Sequence, residues 1–556
     1  MRYIIIITVA ILFSNSIFAQ TGKDTSTTRN VTIDQKYKAT LIEASKIESV
    51  PVIEKPLPTP PNYTYTIVPK QSKTEKIVNP IPAADLFKKE ENTFPTSFVK
   101  LGYGNLRTPL TEIYLNNKQN NQYSYGMQYR FLQTNSNLNK SFADFTDHAL
   151  KAYMATYTTT GEFGLEVNYK NNQYNYYGYT DSINLDSNKG LKNKMARTIQ
   201  NFEAKAYFNS TPSKDSKVKH RSAFNYYNFQ IGGAKEADYA LISKIYGNIG
   251  DFNDMENGVL SATIGLDYTT LQLPGEKSRN RFFIQLDPRY DFKYDVMNLS
   301  VGFNSTILFD GNDSAQVKPN LYIKATYPLI EGVANLYGGI DGRYRKQSLK
   351  AIIQANQFTS SYNLTNQYET VKVFAGINGK LGSSMDASFE INYSDVAGMP
   401  LFISKRDSLN SFGMVVENLS ILKFSAALNY SFSEKARIGV IGNFYNYNTS
   451  SQPEAWQLPA IEGKVNMSFN INNKIYPHFD IVAMSLQPQR TGVLENNYSR
   501  SQIKAFYDIS TGIDFRFRPK LSLFVQANNL MSSRYQRWYN YPVYGFNILG
   551  GLTSIF

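Results

Sequence analysis

Apolar and polar residues alternate with a period of two along most of the chain from about Thr96 onward. In Glu162–Lys170 and in Thr370–Leu381, most odd positions are apolar and most even positions are polar or glycine. Leu422–Phe432 shows the same alternation with the parity reversed, and Ile513–Arg518 repeats it. A period of two places one set of residues on each face of a β-strand. The pattern therefore predicts an all-β fold built from many strands.

A soluble β-sandwich shows the same alternation of apolar and polar residues along its strands. The lengths of the connections between strands distinguish it from a membrane barrel. Short turns are predicted at Thr160–Gly161, Tyr294–Met297, Leu381–Met385, Ser433–Lys435, Asn472–Lys474 and Arg518–Lys520. Long polar connections are predicted at 136–146, 180–197, 348–365, 397–417, 449–462, 486–502 and 532–540. Short and long connections alternate along most of the chain, as periplasmic turns and extracellular loops do in outer-membrane barrels. We therefore predict a transmembrane antiparallel up-and-down β-barrel over residues 96–556, with both chain ends in the periplasm.

The expected strand number is even and about 22, with 20 or a smaller even number as the alternative. Glu236–Asn257 is the least defined stretch, because it fits either one strand with a turn or a short helix. Beyond the N-terminus, no stretch approaches the roughly 18 consecutive apolar residues of a transmembrane helix. Within a membrane the chain must then form a closed barrel, because only helices and closed barrels satisfy every backbone group in lipid.

The N-terminal residues predict export. An apolar run from Tyr3 to Phe13 is followed by small and polar residues up to Ala19, which predicts a signal peptide over residues 1–19. An uncleaved anchor is the alternative, although its apolar run is short for a bilayer. Residues 20–95 contain few aromatic residues and a proline cluster at Pro51–Tyr63, which predicts an extended, Pro-rich periplasmic extension. This extension is a tether, a segment laid into the barrel mouth, or a docking strip for a partner.

The composition supports a barrel and excludes several kinds of site. Aromatic residues make up 14% of the chain, with 41 Tyr and 35 Phe, while charged residues make up 19% and mean hydropathy is −0.37. This mixture is typical of strands with aromatic girdles outside and polar residues inside. The chain has no cysteine, which excludes disulfides, zinc–thiolate sites, iron–sulfur clusters and a lipid-anchored start.

No catalytic, cofactor-binding or metal-binding residues are predicted. The three histidines, His148, His220 and His478, lack metal-ligand spacing. The chain also has no nucleophile elbow, zinc-protease motif or phosphate-binding loop. We therefore expect that the protein is not an enzyme and needs no cofactor.

The formal net charge is +13, and the lysines and arginines are spread along the chain without a basic run. Nucleic acid is therefore not an expected partner, whereas outer-membrane lipid and lipopolysaccharide are. Five cations alternate with apolar residues and are candidate lumen-lining residues: Lys372, Lys380, Lys423, Arg516 and Arg518. They either bias a pore toward anions or pair with Asp and Glu of the lumen wall.

The last strand predicts a signal for outer-membrane assembly. Counting back by twos from the C-terminus gives a mostly apolar lipid face: Phe556, Ser554, Leu552, Gly550, Ile548, Phe546 and Tyr544. A C-terminal aromatic residue on such a strand resembles the signal by which barrel-assembly machinery recognises its clients. The candidate assembly signal comprises Phe556, Leu552 and Gly551, and the machinery is an expected partner.

Residues 510–556 resemble the C-terminal end of TonB-dependent receptors. The shared features are Val525–Leu530, Tyr535, the pair Tyr541 and Pro542 with Gly545, and the closing Gly551 and Phe556. Phe98–Asn117 is similar to the start of receptor-like barrels from Bacteroidota-type bacteria. The resemblance implies an outer-membrane transport protein. True receptors carry a globular plug of well over a hundred residues, and residues 20–95 are too few for one, so a barrel without a plug is expected.

Two functions follow as hypotheses. The first is a plugless, receptor-like porin or channel for polar solutes in the bacterial outer membrane. The alternative is a structural subunit of a larger outer-membrane complex, such as protein assembly or secretion machinery, which docks through residues 20–95.

Overall fold

The structure is a computed structural model that describes residues 97–117, 122–135, 137–138, 141–178, 195–211, 218–311, 314–405, 411–433, 435–492 and 498–556. The predicted signal peptide (1–19) and periplasmic extension (20–95) lie outside the described residues and stay predictions. Within the described part of the chain, no helix is long and apolar enough to cross a membrane.

Strands of strictly alternating direction form one closed barrel of 22 strands. They are β1 (Ser97–Gly104), β2 (Thr108–Asn116), β3 (Tyr123–Thr134), β6 (Phe145–Tyr157), β7 (Gly161–Asn175), β8 (Ala196–Ser210), β9 (Val218–Ile231), β10 (Ala234–Phe252), β11 (Met255–Gln272), β12 (Arg279–Tyr294), β13 (Met297–Asp310), β14 (Gln316–Ile330), β15 (Ala334–Arg345), β16 (Gln367–Leu381), β17 (Met385–Ser404), β18 (Phe412–Ser433), β19 (Ala436–Thr449), β20 (Ile461–Phe469), β21 (Ile475–Met484), β24 (Phe506–Arg518), β25 (Leu521–Asn528) and β28 (Asn547–Ile555). The remaining described elements lie in connections: β4 (Asn137–Leu138), β5 (Ser141–Phe142), α1 (Leu349–Ala355), β22 (Gln487–Thr491), β23 (Ser499–Ile503), β26 (Gln536–Trp538) and β27 (Tyr541–Pro542).

The last strand closes the barrel onto the first. β28 pairs antiparallel with β1, and the backbone N–H of Phe556 donates to the carbonyl oxygen of Ser97 over 3.0 Å. The predicted count of 22 strands is confirmed, and the alternative of 20 is wrong. In Glu236–Asn257 the structure has β10, a turn at 253–254 and the start of β11, so the helix alternative is wrong there.

The two ends of the barrel differ in the length of their connections. One end has short turns: 117–122, 158–160, 211–217, 253–254, 295–296, 331–333, 382–384, 434–435, 470–474 and 519–520. The other end has six connections of ten or more residues, namely 135–144, 176–195, 346–366, 450–460, 485–505 and 529–546, and five shorter ones, namely 105–107, 232–233, 273–278, 311–315 and 405–411. Because outer-membrane barrels have short periplasmic turns and longer extracellular loops, we assign the first end to the periplasm and the second to the outside.

One predicted loop, 397–417, is mostly strand. β17 and β18 run through it and leave only 405–411 as a connection. The two strands pack in a buried apolar cluster formed by Leu401, Ile403, Leu419 and Trp456. Trp456 comes from the connection 450–460, which covers the apolar face of the hairpin. Gly398 is a residue typical of loops, but in the structure it lies in a β-bulge of β17 with a φ of 76°.

The register separates an apolar outer face from a polar inner face. Large outward side chains are exposed, as the fractions for Phe163 (56%), Val373 (47%) and Leu552 (51%) show. The positions between them point inward and are mostly polar, as Glu166 and Lys372 illustrate. This arrangement matches a barrel that meets lipid outside and water inside.

Two glycines face each other where the barrel closes. Gly102 of β1 pairs with Gly551 of β28. A Cβ at Gly551 would overlap the carbonyl oxygen of Leu101, and a Cβ at Gly102 would lie 2.8 Å from the ring of Phe524. Only glycine at both positions lets the strands approach and leaves room for the inward ring of Phe524.

Candidate functional site

The extracellular connection 346–366, which we call the strap, crosses the mouth of the barrel. It leaves β15 and returns to β16, two neighbouring strands. Its side chains nevertheless pack against β9, β10 and β11, and against residues of β7 and β18. β7 is the fifth barrel strand and β18 the sixteenth, so they lie on opposite sides of a barrel of 22 strands. We call residues 346–355 of the strap the anchor and residues 356–366 the latch.

Charged groups hold the anchor to the barrel wall. The Lys346 ammonium lies 2.5 Å from the Asp267 carboxylate and also contacts Asp238. The Lys350 ammonium lies 2.5 Å from the Glu203 carboxylate. The three carboxylates point inward from β11, β10 and β8, so the anchor is tied to several strands at once.

Helix α1 of the anchor begins with two capping interactions. Ser348 Oγ accepts the N–H of Ala351 over 3.0 Å. The carboxylate of Glu236, on β10, accepts the N–H of Leu349 over 2.8 Å. These contacts satisfy donors that lack a partner within the helix. The guanidinium of Arg281 lies 3.5 Å from the Glu236 carboxylate, and both side chains are fully buried.

The same helix buries one apolar face against the wall. Leu349, Ile352 and Ile353 are at most 1% exposed, and their spacing of three and four residues places them on one side of the helix. They pack on inward residues near the mouth: Phe229, Ile231, Ala234 and Leu271. The anchor therefore combines a small apolar core with buried ion pairs.

The latch is part of an aromatic cluster between opposite walls. Phe358 stacks on Tyr541 with ring centroids 3.8 Å apart and meets Tyr174 edge-on at 5.8 Å. The ring of Phe412 lies 5.8 Å from that of Tyr541. Tyr174 ends β7, Phe412 begins β18 and Tyr541 lies in β27, so one cluster joins three parts of the mouth.

Backbone and hydroxyl groups complete the latch. The N–H of Phe412 donates to the carbonyl oxygen of Phe358 over 3.0 Å, and the N–H of Ser360 donates to that of Phe412 over 2.9 Å. The hydroxyls of Ser360 and Ser411 lie 2.6 Å apart, and the Lys405 ammonium donates to Ser360 Oγ over 3.1 Å. The latch contains no charged residue of its own.

The predicted lumen cations lie on inward positions of the wall. Lys372 pairs with Ser394 and Lys423 with Asn392, so these two lysines flank β17 at neighbouring levels. Their ammonium groups lie over aromatic rings, Lys372 at 5.5 Å from the ring of Phe374 and Lys423 at 5.4 Å from that of Tyr445.

The other three cations lie apart from this pair. Arg516 of β24 places its guanidinium 5.1 Å from the ring of Tyr476. Lys380 and Arg518 lie next to the periplasmic turns 382–384 and 519–520. The structure thus places Lys372 and Lys423 close together on one part of the wall, whereas Lys380, Arg516 and Arg518 lie apart from them. A pore-lining role for all five stays a prediction.

The histidines occupy separate places on the wall. The ring of His148 packs on Phe131 at 4.8 Å, and that of His220 packs on Phe208 at 5.1 Å. His478 lies over Gly512, where a Cβ would overlap its ring. Across the described residues, no group of three or more His, Cys, Asp or Glu side chains is arranged to hold a metal ion.

The C-terminal residues lie on both faces of β28. Leu552 and Phe556 are exposed on the outer face, and Gly551 points inward. The predicted lipid face is wrong at Tyr544, because β28 begins only at Asn547. The hydroxyl of Tyr544 instead donates to the carbonyl oxygen of Ala143 in the mouth.

Comparison with known proteins gives the fold. No protein-family model matches the sequence, and no curated protein matches it. The structure is similar to the pyoverdine outer membrane receptor FpvA of Pseudomonas aeruginosa, with a TM-score of 0.64 and 10% identity over 84% of this chain and 80% of that chain. The fold is that of an outer-membrane receptor barrel.

Two further receptor barrels agree with this result. The siderophore receptor PirA of Acinetobacter baumannii has a TM-score of 0.62 and 12% identity over 83% of this chain and 80% of that chain. The copper transporter OprC has a TM-score of 0.60 and 11% identity over 84% of this chain and 83% of that chain. At these identities the likeness concerns the fold alone.

Sequence reasoning missed the inward folding of the strap in this barrel. The predicted loop 348–365 nearly matches its bounds, but the helix was absent from the prediction. Its signal was present: Ser348 in an N-cap position, followed by apolar residues at Leu349, Ile352 and Ile353. The charged partners of the anchor carry no local signal, because they look like ordinary inward residues of their strands.

Proposed function

We propose that this protein is a transport-class outer-membrane barrel, a plugless porin or channel for polar solutes whose extracellular mouth is closed by the strap at rest. The observation that carries the proposal is the combination of a polar inner wall with a strap that joins opposite sides of the mouth. A polar wall is stable when water hydrates it, because buried polar groups without partners are costly. The position of the strap would then control the entry of solutes into the water-filled lumen.

The wall charges favour anionic solutes. Lys372 and Lys423 lie on one wall over aromatic rings, and unit charges at the wall attract counter-ions that pass close to them. The double substitution Lys372→Glu and Lys423→Glu is expected to shift the reversal potential under a salt gradient toward cation preference. Lys372→Gln with Lys423→Gln is the matched neutral control and should give an intermediate value.

Conductance of the full chain in liposomes or planar bilayers tests the proposal. The wild type should show rare openings, and a variant in which a short Gly-Ser linker replaces residues 347–365 should conduct continuously. A chain without residues 21–95 separates the contribution of the extension from that of the strap. Absence of conductance in all three proteins would reject the channel.

A strap that joins opposite sides of the mouth also suits a second candidate, a structural subunit of an outer-membrane assembly or secretion complex. Such a barrel needs no open path, and residues 20–95 would dock it to its partners. Purification in mild detergent tests this role: co-purifying partners that disappear on deletion of residues 21–95 would support it, and recovery of a lone barrel would reject it.

A further inference from the structure

We infer that the mouth opens at the latch while the anchor stays attached to the wall, so that the strap is a lid hinged at its anchor. The inference rests on the proposed channel function and states how its mouth is regulated. It follows from the different chemistry of the two halves of one connection.

Opening at the anchor would separate partly buried charges from their partners. The Lys346 ammonium is bound to two carboxylates, Asp238 and Asp267, and the Lys350 ammonium is bound to that of Glu203. Separation would remove attractions between charges that are largely shielded from water while the anchor is attached, and such attractions are stronger than those of exposed pairs. Movement of α1 would also expose its apolar face to water.

Opening at the latch separates only neutral groups of the strap from the wall. Its contacts include the stack of Phe358 on Tyr541 and the backbone bonds between Phe358, Ser360 and Phe412. Wall side chains add hydrogen bonds to neutral oxygens of the latch, as from the Tyr174 hydroxyl and the Lys405 ammonium. Water replaces backbone hydrogen bonds at a modest net cost. The aromatic rings are the part that resists opening, and an aromatic pair contributes only modestly beyond its buried area.

Phe358 is the part of the latch that joins the two walls. Tyr174 and Phe412 belong to opposite walls, and Phe358 contacts the rings of Tyr174 and Tyr541 and the backbone of Phe412. Withdrawal of Phe358 would therefore remove the strap's own link between the walls and leave Tyr541 in contact with Tyr177 and Phe412. The anchor, which packs on β9 to β11, would keep the strap on one side of the mouth.

A disulfide across the latch tests the inference. The hydroxyls of Ser360 and Ser411 are 2.6 Å apart, and the chain has no cysteine of its own. Ser360→Cys with Ser411→Cys therefore introduces one pair of thiols whose spacing suits a disulfide. Oxidation should abolish openings in a planar bilayer, and a reductant should restore them.

A wall disulfide and an anchor cross-link are the matched controls. Ser222 and Ser243 lie on the neighbouring strands β9 and β10 with hydroxyls 2.8 Å apart. The corresponding cysteine pair should leave openings unchanged on oxidation. Lys350→Cys with Glu203→Cys, joined by a bis-maleimide, fixes the anchor and should also leave openings unchanged.

Phe358→Ala supplies a test without cross-links. Loss of its ring contacts is expected to raise the open fraction about tenfold. Conductance that persists after latch oxidation, or that stops when the anchor is cross-linked, would overturn the inference while leaving the channel function standing. Absence of conductance in the wild type, in Phe358→Ala and in the strap-deleted chain would reject both.

Discussion

Glu236→Ala is expected to release the anchor from the barrel wall. The Glu236 side chain accepts the N–H of Leu349 over 2.8 Å and the hydroxyl of Tyr227 over 2.8 Å. It also lies 3.5 Å from the guanidinium of Arg281, and neither charged side chain is exposed. Without the carboxylate, Arg281 retains neutral hydrogen-bond partners such as the carbonyl oxygen of Gln347 at 2.8 Å.

The size of the effect follows from burial. Removal of one partner of a buried ion pair typically costs about 3–5 kcal/mol. Water reaches Arg281 again when the anchor detaches, so most of this cost favours the detached state. Detachment should then become easier by about 3 kcal/mol, which is roughly a hundredfold in an equilibrium constant.

Hydrogen exchange of the α1 amides measures this change. The N–H of Asn356 donates to the carbonyl oxygen of Ile352 over 2.9 Å, so its exchange reports helix opening. Glu236→Gln keeps an oxygen acceptor and should increase exchange less than Glu236→Ala. Glu166→Ala is the wall control, since its ion pair with Lys151 at 3.3 Å lies away from the strap. Exchange in Glu236→Ala equal to that of the wild type would refute the electrostatic account of the anchor.

Three further substitutions test other parts of the barrel. Gly551→Val places side-chain atoms against the carbonyl oxygen of Leu101 and should prevent closure, seen as loss of the heat-modifiable folded band, while Gly463→Ala, where a Cβ meets nothing within 4 Å, should keep it. Phe556→Ser should lower the amount assembled in cells yet still refold in detergent; equal assembly would contradict the predicted signal. Glu417→Gln weakens an acceptor of three amides of the connection 450–460 at 2.8–2.9 Å and should make that connection more sensitive to protease, by about 1–3 kcal/mol of local stability.

The strands could be predicted from the sequence because contact with lipid constrains the residues of each strand by themselves. A strand that faces lipid outside and water inside must alternate apolar and polar residues. The residues of a segment such as Leu422–Phe432 are therefore enough to predict a strand. The predicted turns at Tyr294–Met297 and Arg518–Lys520 coincide with connections of the barrel. The loop prediction at 397–417 was wrong because the strands there pack against Trp456, which comes from another connection of the chain. A contact of that kind leaves no pattern in the residues of the strand itself.

The packing of the strap across the mouth was not predictable, because its contacts are remote in sequence. Leu349 and Glu236 are 113 residues apart, and Tyr174 and Gln357 are 183 residues apart. Glu236 and Asp238 alternate with their neighbours like any inward carboxylates. Nothing in their own segment indicates a helix as partner. The wall cations Lys372 and Lys423 were predicted from alternation, whereas their positions on either side of β17 needed the register.

The glycine pair at the seam has a consequence for biogenesis. The contact between Asn105 and Ile548 spans 443 residues, so the final pairing of the wall is among the most remote contacts in the molecule. Remote contacts form late, because closing a long loop costs conformational entropy before any stabilising contact is made. Until then the sheet has two unpaired edges, which readily pair with other chains. Gly102 and Gly551 carry no side chain that would hold the two edges apart when they meet, so the last step of wall closure requires no rearrangement at these positions.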